Sequence, residues 1–425
     1  MRLLLYSWKA NNEQVLADNL KKFGFELVIY DKPCKHYTRD LELASDMLPF
    51  IHAQNVEAVI SFNYFPMLSM ICNTCQIPYF SWVYDSPHFT LYAKQIMLPC
   101  NHIGIFDREM AKHLQETYQV PTVFHAPLAV DAKYFDRMIQ GVPAEYRCDV
   151  SFVGSLYTDE YNYYDALCMA EISDNAEAGD GASPNSRAGA VSKDQIIERQ
   201  CFNYRRDCLR LALAAKEIDI NVIKGKMEEQ GLMLGEDYFA NPEDILLAAV
   251  LEKKVTVEER RILLAEIAER YVVHKNFPER QERDAAKQGE FSFKLYTGSN
   301  TKELPILDAC NQGTVDYHTQ MPLVFAASRI NLNISLRSIH SGIPLRVLDI
   351  MACGGFVLSN WQPELAECFK EGEEITLFGS KEECMEKIAY YLAHEEERRE
   401  IAAAGKRKVQ ERFSYEKGLG KLFGV

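Results

Sequence analysis

The sequence predicts an α/β protein of two doubly wound, Rossmann-like parallel-sheet lobes, with a helical insertion in the second. Three observations carry that expectation. Over the first 140 residues, short apolar runs alternate with longer segments of helical spacing, the pattern of strand–helix–strand units. The alternation stops after "CDVSFVGSLY" and resumes only at "FSFKLYTG". Finally, 425 residues exceed what one ordinary core accommodates.

In the first lobe, strands are expected at "RLLLYSW", "FELVIYD", "VEAVISFN", "PYFSWVYD" and "HIGIFD". Helices are expected at "NEQVLADNLKKFG", closed by Gly24, and at "DLELASDMLPFIHAQN". "TVFHAPLAVDAKYF" ends this lobe in a turn, which sets 1–145 as the first lobe and 146–412 as the second. The second opens on "CDVSFVG" and is interrupted over about 160–285. Within that insertion, residues 172–195 are rich in Ala, Gly, Ser, Asp and Asn and read as a surface loop, and 196–288 read as helical. Strands are then expected at "FSFKLYTG", "GTVDYH", "RINLNIS", "GFVLSN" and "EITLFG". A charge-paired helical tail follows, and residues 413–425 are expected to return to the first lobe.

Composition narrows the function classes. A net charge of −14 argues against nucleic acid or an anionic membrane as partner, and no apolar run reaches the roughly 20 residues of a membrane span. The start, "MRLLLYSWKANN", reads as a strand, not a signal peptide. Twelve cysteines without a repeating framework suit reduced thiols in a cytoplasmic protein. Cys72-x-x-Cys75 lies in an apolar helical segment with no second pair at metal-site spacing, so a packed thiol explains it better than zinc. No Asp-x-Asp stands at a strand end; neither metal nor cofactor is expected.

The most informative stretch is "SIHSGIPLRVLDIMACGGFVLSN", residues 338–360. Gly342 permits a close backbone approach, and Pro344 suits a first helical turn. The start of that helix offers amide N–H groups and a partial positive charge to a phosphate. Arg346 and Asp349 share a helix face; an Arg clamps a diphosphate, and a carboxylate accepts ribose hydroxyls. Gly354 and Gly355 stop the helix before a strand. An ordinary surface helix with an Arg–Asp pair has the same local features, and the decisive point is its position directly after "RINLNISLRS".

"GIPLRVLDIMACGGFVLSN" resembles the donor-binding segment of the group 1, retaining glycosyltransferases of GT-B fold. With "NLNIS", "DVSFVGSLYTDEYNYYD" and "SWVYDSPHFTLY", the chain resembles more closely the spore-maturation (CgeB-like) glycosyltransferases and their bacterial relatives. The resemblance implies a nucleotide-sugar donor, a UDP-sugar, bound by the second lobe, and a glycan, lipid-linked or protein acceptor on the first. It places Asp349 on the nucleotide ribose and Ser341 where the family has its first glutamate. Gly154 matches the turn after the first strand of that lobe. The Arg and Lys that often follow this turn are missing from "SLYTDEY", leaving Arg337 and Arg346 as the nearest cations for the diphosphate. Where a glycine-rich loop is common, this chain has "SWKANN"; Asn11 falls on the acceptor side, and Asn11 and Asn12 are candidate caps. "HAPLAVD" resembles the linker that closes the first lobe.

At the end of "FSWVYDSPHF", Tyr84 takes roughly the place of a histidine common in relatives, with His88 displaced. Asp85 and His88 are the candidates to take or orient the acceptor's proton; a plain Asp-Ser-Pro turn is the alternative. His125 and His318 read as structural. Two other functions stay open on the sequence: a nucleotide-sugar epimerase or hydrolase, and a non-catalytic nucleotide-sugar-binding partner protein.

Overall fold

The computed structural model describes residues 1–157, 237–239, 242–276 and 291–425. The loop expected at 172–195, the charge-rich "RRDCLRLALAAKE" and most of the helical stretch 196–288 lie outside the described residues. Among the described residues, no helix is long and apolar enough to cross a membrane.

The first sheet contains β1 (Arg2–Tyr6), β2 (Glu26–Tyr30), β3 (Ala58–Phe62), β4 (Tyr79–Val83), β5 (Asn101–Ile105) and β6 (Val123–His125). All pairings are parallel, in the order β2-β1-β3-β4-β5-β6. Helices α1 (Glu13–Lys22), α2 (Leu41–Ala53), α3 (Pro66–Cys75) and α4 (Arg108–Thr117) connect them, and α5 (Ala132–Met138) follows β6. β3 and β4 are buried along their whole length, as a central parallel strand with helices on both faces must be.

The second sheet, also parallel, has the order β11-β10-β9-β7-β8. Its strands are β7 (Cys148–Val153), β8 (Phe293–Tyr296), β9 (Ser328–Asn333), β10 (Val357–Asn360) and β11 (Thr376–Phe378). The 35-residue α6 (Pro242–Asn276) packs on one face through Leu263, Leu264, Ile267 and Ala268. Next come α7 (Pro305–Asp308), α8 (Met321–Ala327), α9 (Leu345–Ala352) and α10 (Pro363–Cys368). The chain closes with α11 (Lys381–Ala393), α12 (Glu395–Arg412) and α13 (Tyr415–Phe423).

One expected strand does not form. "GTVDYH" is irregular because Gly313 adopts φ +80° and Asp316 folds a turn onto itself, its Oδ1 accepting the N–H groups of His318 and Thr319.

Among the described residues the chain passes between lobes at 126–131 and at 413–414, and these two passages bond to each other: Val130 N–H donates to Phe413 O at 2.8 Å. Residues 237–239, just ahead of α6, also lie on the first lobe, where Tyr238 bridges Ala93 and Asp237 pairs with Arg39. α13 then packs on the first sheet, with Leu422 beside Gly104, Phe423 against Phe80 and Tyr415 edge-on to Trp82. One apolar cluster therefore runs from Leu3 and Ile60 of the first lobe to Val347 and Met351 of the second. A Cβ at Gly418 would press into the Trp82 indole and the Ala129 methyl. Gly to Ala normally gains about 1 kcal/mol in a helix, whereas overpacking costs about 1–3. Gly418→Ala is accordingly expected to lower the melting temperature; a rise in thermal unfolding would show that α13 is loosely seated.

Candidate active site

The carboxyl edges of both sheets face each other across a narrow cleft. On the second-lobe side, Pro344 is extended at the N-cap of α9, one position ahead of the expected first turn. Asp349 lies one turn along, 1 % exposed, with both oxygens 3.1 Å from the Tyr317 hydroxyl, which donates to one of them at a time. Burial pushes its carboxyl up to about 7, against the opposing pull of Arg346 and Tyr317. The two glycines that end α9 have separate reasons. Gly354 takes φ +76°, while a Cβ on Gly355 would strike the Asn331 amide at 2.7 Å and Phe325 O at 2.8 Å.

Gly154 closes β7 on the same edge, its N–H donating to Tyr296 O. The two arginines part company. Arg346 stays at the start of α9, with its guanidinium 5.6 Å from the Phe325 ring and one N–H on the Met321 sulfur. Arg337 turns to α6 and grips the buried Glu259 with Nε, 2.8 and 2.9 Å from its two oxygens.

On the first-lobe side, Asn12 occupies the N-cap of α1 but its side chain makes no cap bond. Instead Glu13 organises the loop after β1, its Oε1 accepting the N–H groups of Trp8 and Ala10. Asn11 is exposed, whereas the buried Asn12 lines a cavity of ≈ 10 Å³ with Tyr317, Asp349 and Tyr415, room for about one water. Tyr84 stacks on Trp8 at 6.3 Å and, with Leu345 of the other lobe, lines a neighbouring pocket. Asp85 is exposed at the end of β4, held by Asn63 Nδ2 at 2.6 Å. His88 is turned inward, where its Nε2 lies 2.8 Å from the Thr90 hydroxyl and 3.1 Å from Tyr64 N. Burial lowers its pKa, with Asp85 opposing.

Ser341 lies in the seam between lobes, 0 % exposed, beside Asp107 and Glu364, each 2 % exposed. Its Oγ is 2.9 Å from Asp107 Oδ1 and 2.8 Å from Glu364 Oε1; a hydroxyl carries one proton and donates to one of them at a time. The same Oγ accepts Glu109 N–H, and Glu364 accepts Arg108 N–H, so the first amides of α4 end on groups of the second lobe. Asp107 caps Met110 N–H and also accepts the N–H groups of His340 and Ser341. Arg108 and Glu367 form a bidentate pair at the rim. A Cβ on Gly342 would meet Asp107 Cα at 3.0 Å, so the close approach expected at this glycine is made to the other lobe.

His125 contacts Glu364 in the seam at 3.0 Å, and His318 accepts from or donates to the Tyr134 hydroxyl at 2.9 Å. Sequence reasoning did not find Asp107, Glu364, Tyr317 or Glu13. Asp107 had a local signal, an Asp ahead of a helical run, but nothing in the sequence pairs it with residues more than 230 positions away.

Residues 279–423 match the model of a family described as glycosyl transferase-like. No curated protein sequence matches the chain. Among solved structures, a glycosyltransferase from Rickettsia africae ESF-5 is similar over 100 % of this chain and 97 % of its own, with 11 % identity and a TM-score of 0.54. Sucrose-phosphate synthase from Thermosynechococcus elongatus (11 % identity, 100 % and 98 % covered, TM-score 0.47) and Alr3699/HepE from Anabaena in complex with UDP and glucose (9 %, 100 % and 98 %, 0.49) are looser likenesses. The two-lobed architecture is the GT-B fold, and the family match of the second lobe supports a glycosyltransferase.

Because the Asp349 pKa is raised on folding, its contribution to stability is lost as pH climbs from the ordinary 3.8 toward about 7. An Asn mimics the neutral form. Asp349→Asn is therefore expected to raise the melting temperature by a few degrees at pH 8 and by less at pH 4. A pH-independent difference would mean that the native carboxyl is not held neutral.

Proposed function

We propose that the protein transfers a sugar from a UDP-sugar to a hydroxyl of a glycan, lipid-linked or protein acceptor, without a metal and with retention at the anomeric carbon. The observation that carries this reading is the arrangement at α9. A backbone start, a guanidinium and a buried carboxyl follow one another within one and a half turns at the carboxyl edge of a parallel sheet, where such folds seat nucleotides. In this reading the diphosphate lies at the start of α9 near Arg346, and Asp349 accepts the ribose hydroxyls. Gly342 and Gly154 keep the surrounding backbone close, Ser341 fixes the loop, and Arg337 acts through Glu259 on α6. UDP as the nucleotide and retention follow from the family resemblance.

Transfer breaks the bond between the anomeric carbon and the β-phosphate oxygen, which keeps the electron pair. The acceptor oxygen forms the new bond and gives up its proton. Fixed dipoles and guanidiniums at the leaving oxygens lower that barrier because they need not reorganise. On the acceptor side Asp85 is exposed and anchored by Asn63, so it is the group that orients the hydroxyl or takes its proton. Tyr84 with Trp8, and Asn11 on the loop after β1, shape that side, and the inward His88 holds the loop that carries Asp85.

Incubation with UDP-sugars, alone and with candidate acceptors, tests the reading. Nucleotide release that requires an acceptor is expected. Release without one indicates a hydrolase or epimerase, and binding without turnover a nucleotide-sugar-binding partner protein. Asp85→Asn is expected to reduce kcat by about 10²-fold or more, the scale of a general base, with donor affinity nearly unchanged; equal rates would clear Asp85 of a catalytic part.

A further inference from the structure

Two arginines at the carboxyl edge of the second sheet, Arg260 buried and Arg346 half-buried, have no carboxylate in contact among the described residues. Arg260, on α6, is only 8 % exposed. Its Nε and Nη2 donate to Ile334 O at 3.2 and 2.6 Å, and its Nη1 to Ser155 O at 2.6 Å. The rings of Tyr157 and Phe152 flank it at 5.2 and 5.5 Å. Those two carbonyls follow the ends of β9 and β7. The carboxylate next in the chain, Glu259, is already gripped by Arg337. Arg346 reaches the same edge from α9, on the opposite face of the sheet, and rests on a thioether and a ring. Among the described residues, neither guanidinium has a carboxylate in ion-pair contact.

A chain of net charge −14 has acids to spare, so a buried and a half-buried guanidinium without a carboxylate in contact are not a by-product of composition. They also lie near enough to feel each other: burial lowers the pKa of Arg260 and Arg346 adds to that, against the opposing pull of Tyr157 and Glu259. Like charges withdrawn from water and left unpaired are costly unless an anion completes them. A thioether is a weak acceptor, readily exchanged for a phosphate oxygen. Lys253, on the same side of α6 as Arg260, adds a third cation, with Nζ 4.8 Å from the centroid of the Tyr157 ring.

We propose that Arg260 and Arg346 form a two-guanidinium seat for the donor's diphosphate, one arm coming from the helix inserted after β7. The proposal rests on the nucleotide-sugar reading and supplies the cations that the loop after β7 lacks. Arg260 binds the carbonyls behind Ser155 and Ile334 and turns its charge toward the edge. Arg346 gives up the Met321 sulfur and donates to the phosphate from the other side. As the anomeric bond breaks and charge builds on the leaving oxygen, both interactions strengthen.

Calorimetric titration of the full chain with UDP, uridine and inorganic pyrophosphate tests this. Arg260→Met and Arg346→Met are each expected to weaken UDP and pyrophosphate by about tenfold or more, the scale of losing a charge-assisted bidentate contact. Uridine, which has no phosphate, is expected to change by less than about twofold, and Arg260→Lys to recover part of the loss. A merely structural arginine would move uridine and UDP together, and that result would overturn the proposal. So would unchanged UDP affinity in both variants, which leaves the donor reading intact. Arginine-dependent pyrophosphate binding with no preference for UDP would keep the seat and sink the donor reading. If Arg260→Met fails to fold, Arg346→Met and Arg260→Lys carry the test.

Discussion

Asp107 and Glu364, buried carboxylates from opposite lobes, meet at the single hydroxyl of Ser341, and the geometry of the cleft depends on that meeting. A carboxylate withdrawn from water costs several kcal/mol unless its lone pairs find donors. Here the donors cross the seam in both directions. The first amides of α4 end on Glu364 and Ser341, and the amides of His340 and Ser341 end on Asp107. Neither lobe can satisfy these groups alone, so the loop 338–342 is held in one position against the turn after β5. Gly342 is required there because any Cβ would enter Phe106 and the Asp107 backbone. α9 starts immediately after that loop, and its placement follows from the seam.

The features on which the proposed nucleotide seat rests are those that weaken the empty protein. Asp349 is a carboxyl driven toward neutrality by burial, with the Tyr317 hydroxyl as its hydrogen-bond partner among the described residues. Arg346 donates to sulfur when oxygen would serve better, and Arg260 is buried with no carboxylate in ion-pair contact among the described residues. Strain of this kind is common where a site is complementary to a ligand and not to itself. The cavity between Asn12 and Asp349 has room for about one water.

Much of the fold was legible because parallel strands buried on both faces read as unbroken apolar runs and the connecting helices keep their own period. "GTVDYH" misled because its alternation is real but Gly313 and Asp316 bend it away from the sheet; that bend brings Tyr317 onto Asp349. Local motifs were readable where one segment carries the chemistry, as in Gly342, Arg346, Asp349 and the paired glycines. Groups that matter only by meeting distant residues were not: Asp107 reads as an ordinary cap, Glu364 as a charge in a first turn, Arg260 as one of many charges on a long helix. Asn11 and Asn12 show the resolution of such reading, since the sequence cannot say which of two adjacent amides faces the cleft.

The central claim is that the start of α9 and the carboxyl one turn along it form the nucleotide seat, held in place by the inter-lobe seam. A crystal structure of the protein with bound UDP-glucose tests this most directly. The diphosphate is expected at the backbone of 344–346 and a ribose hydroxyl within hydrogen-bond distance of Asp349. A nucleotide bound elsewhere, or Asp349 still turned onto Tyr317 with the ribose out of reach, would contradict it.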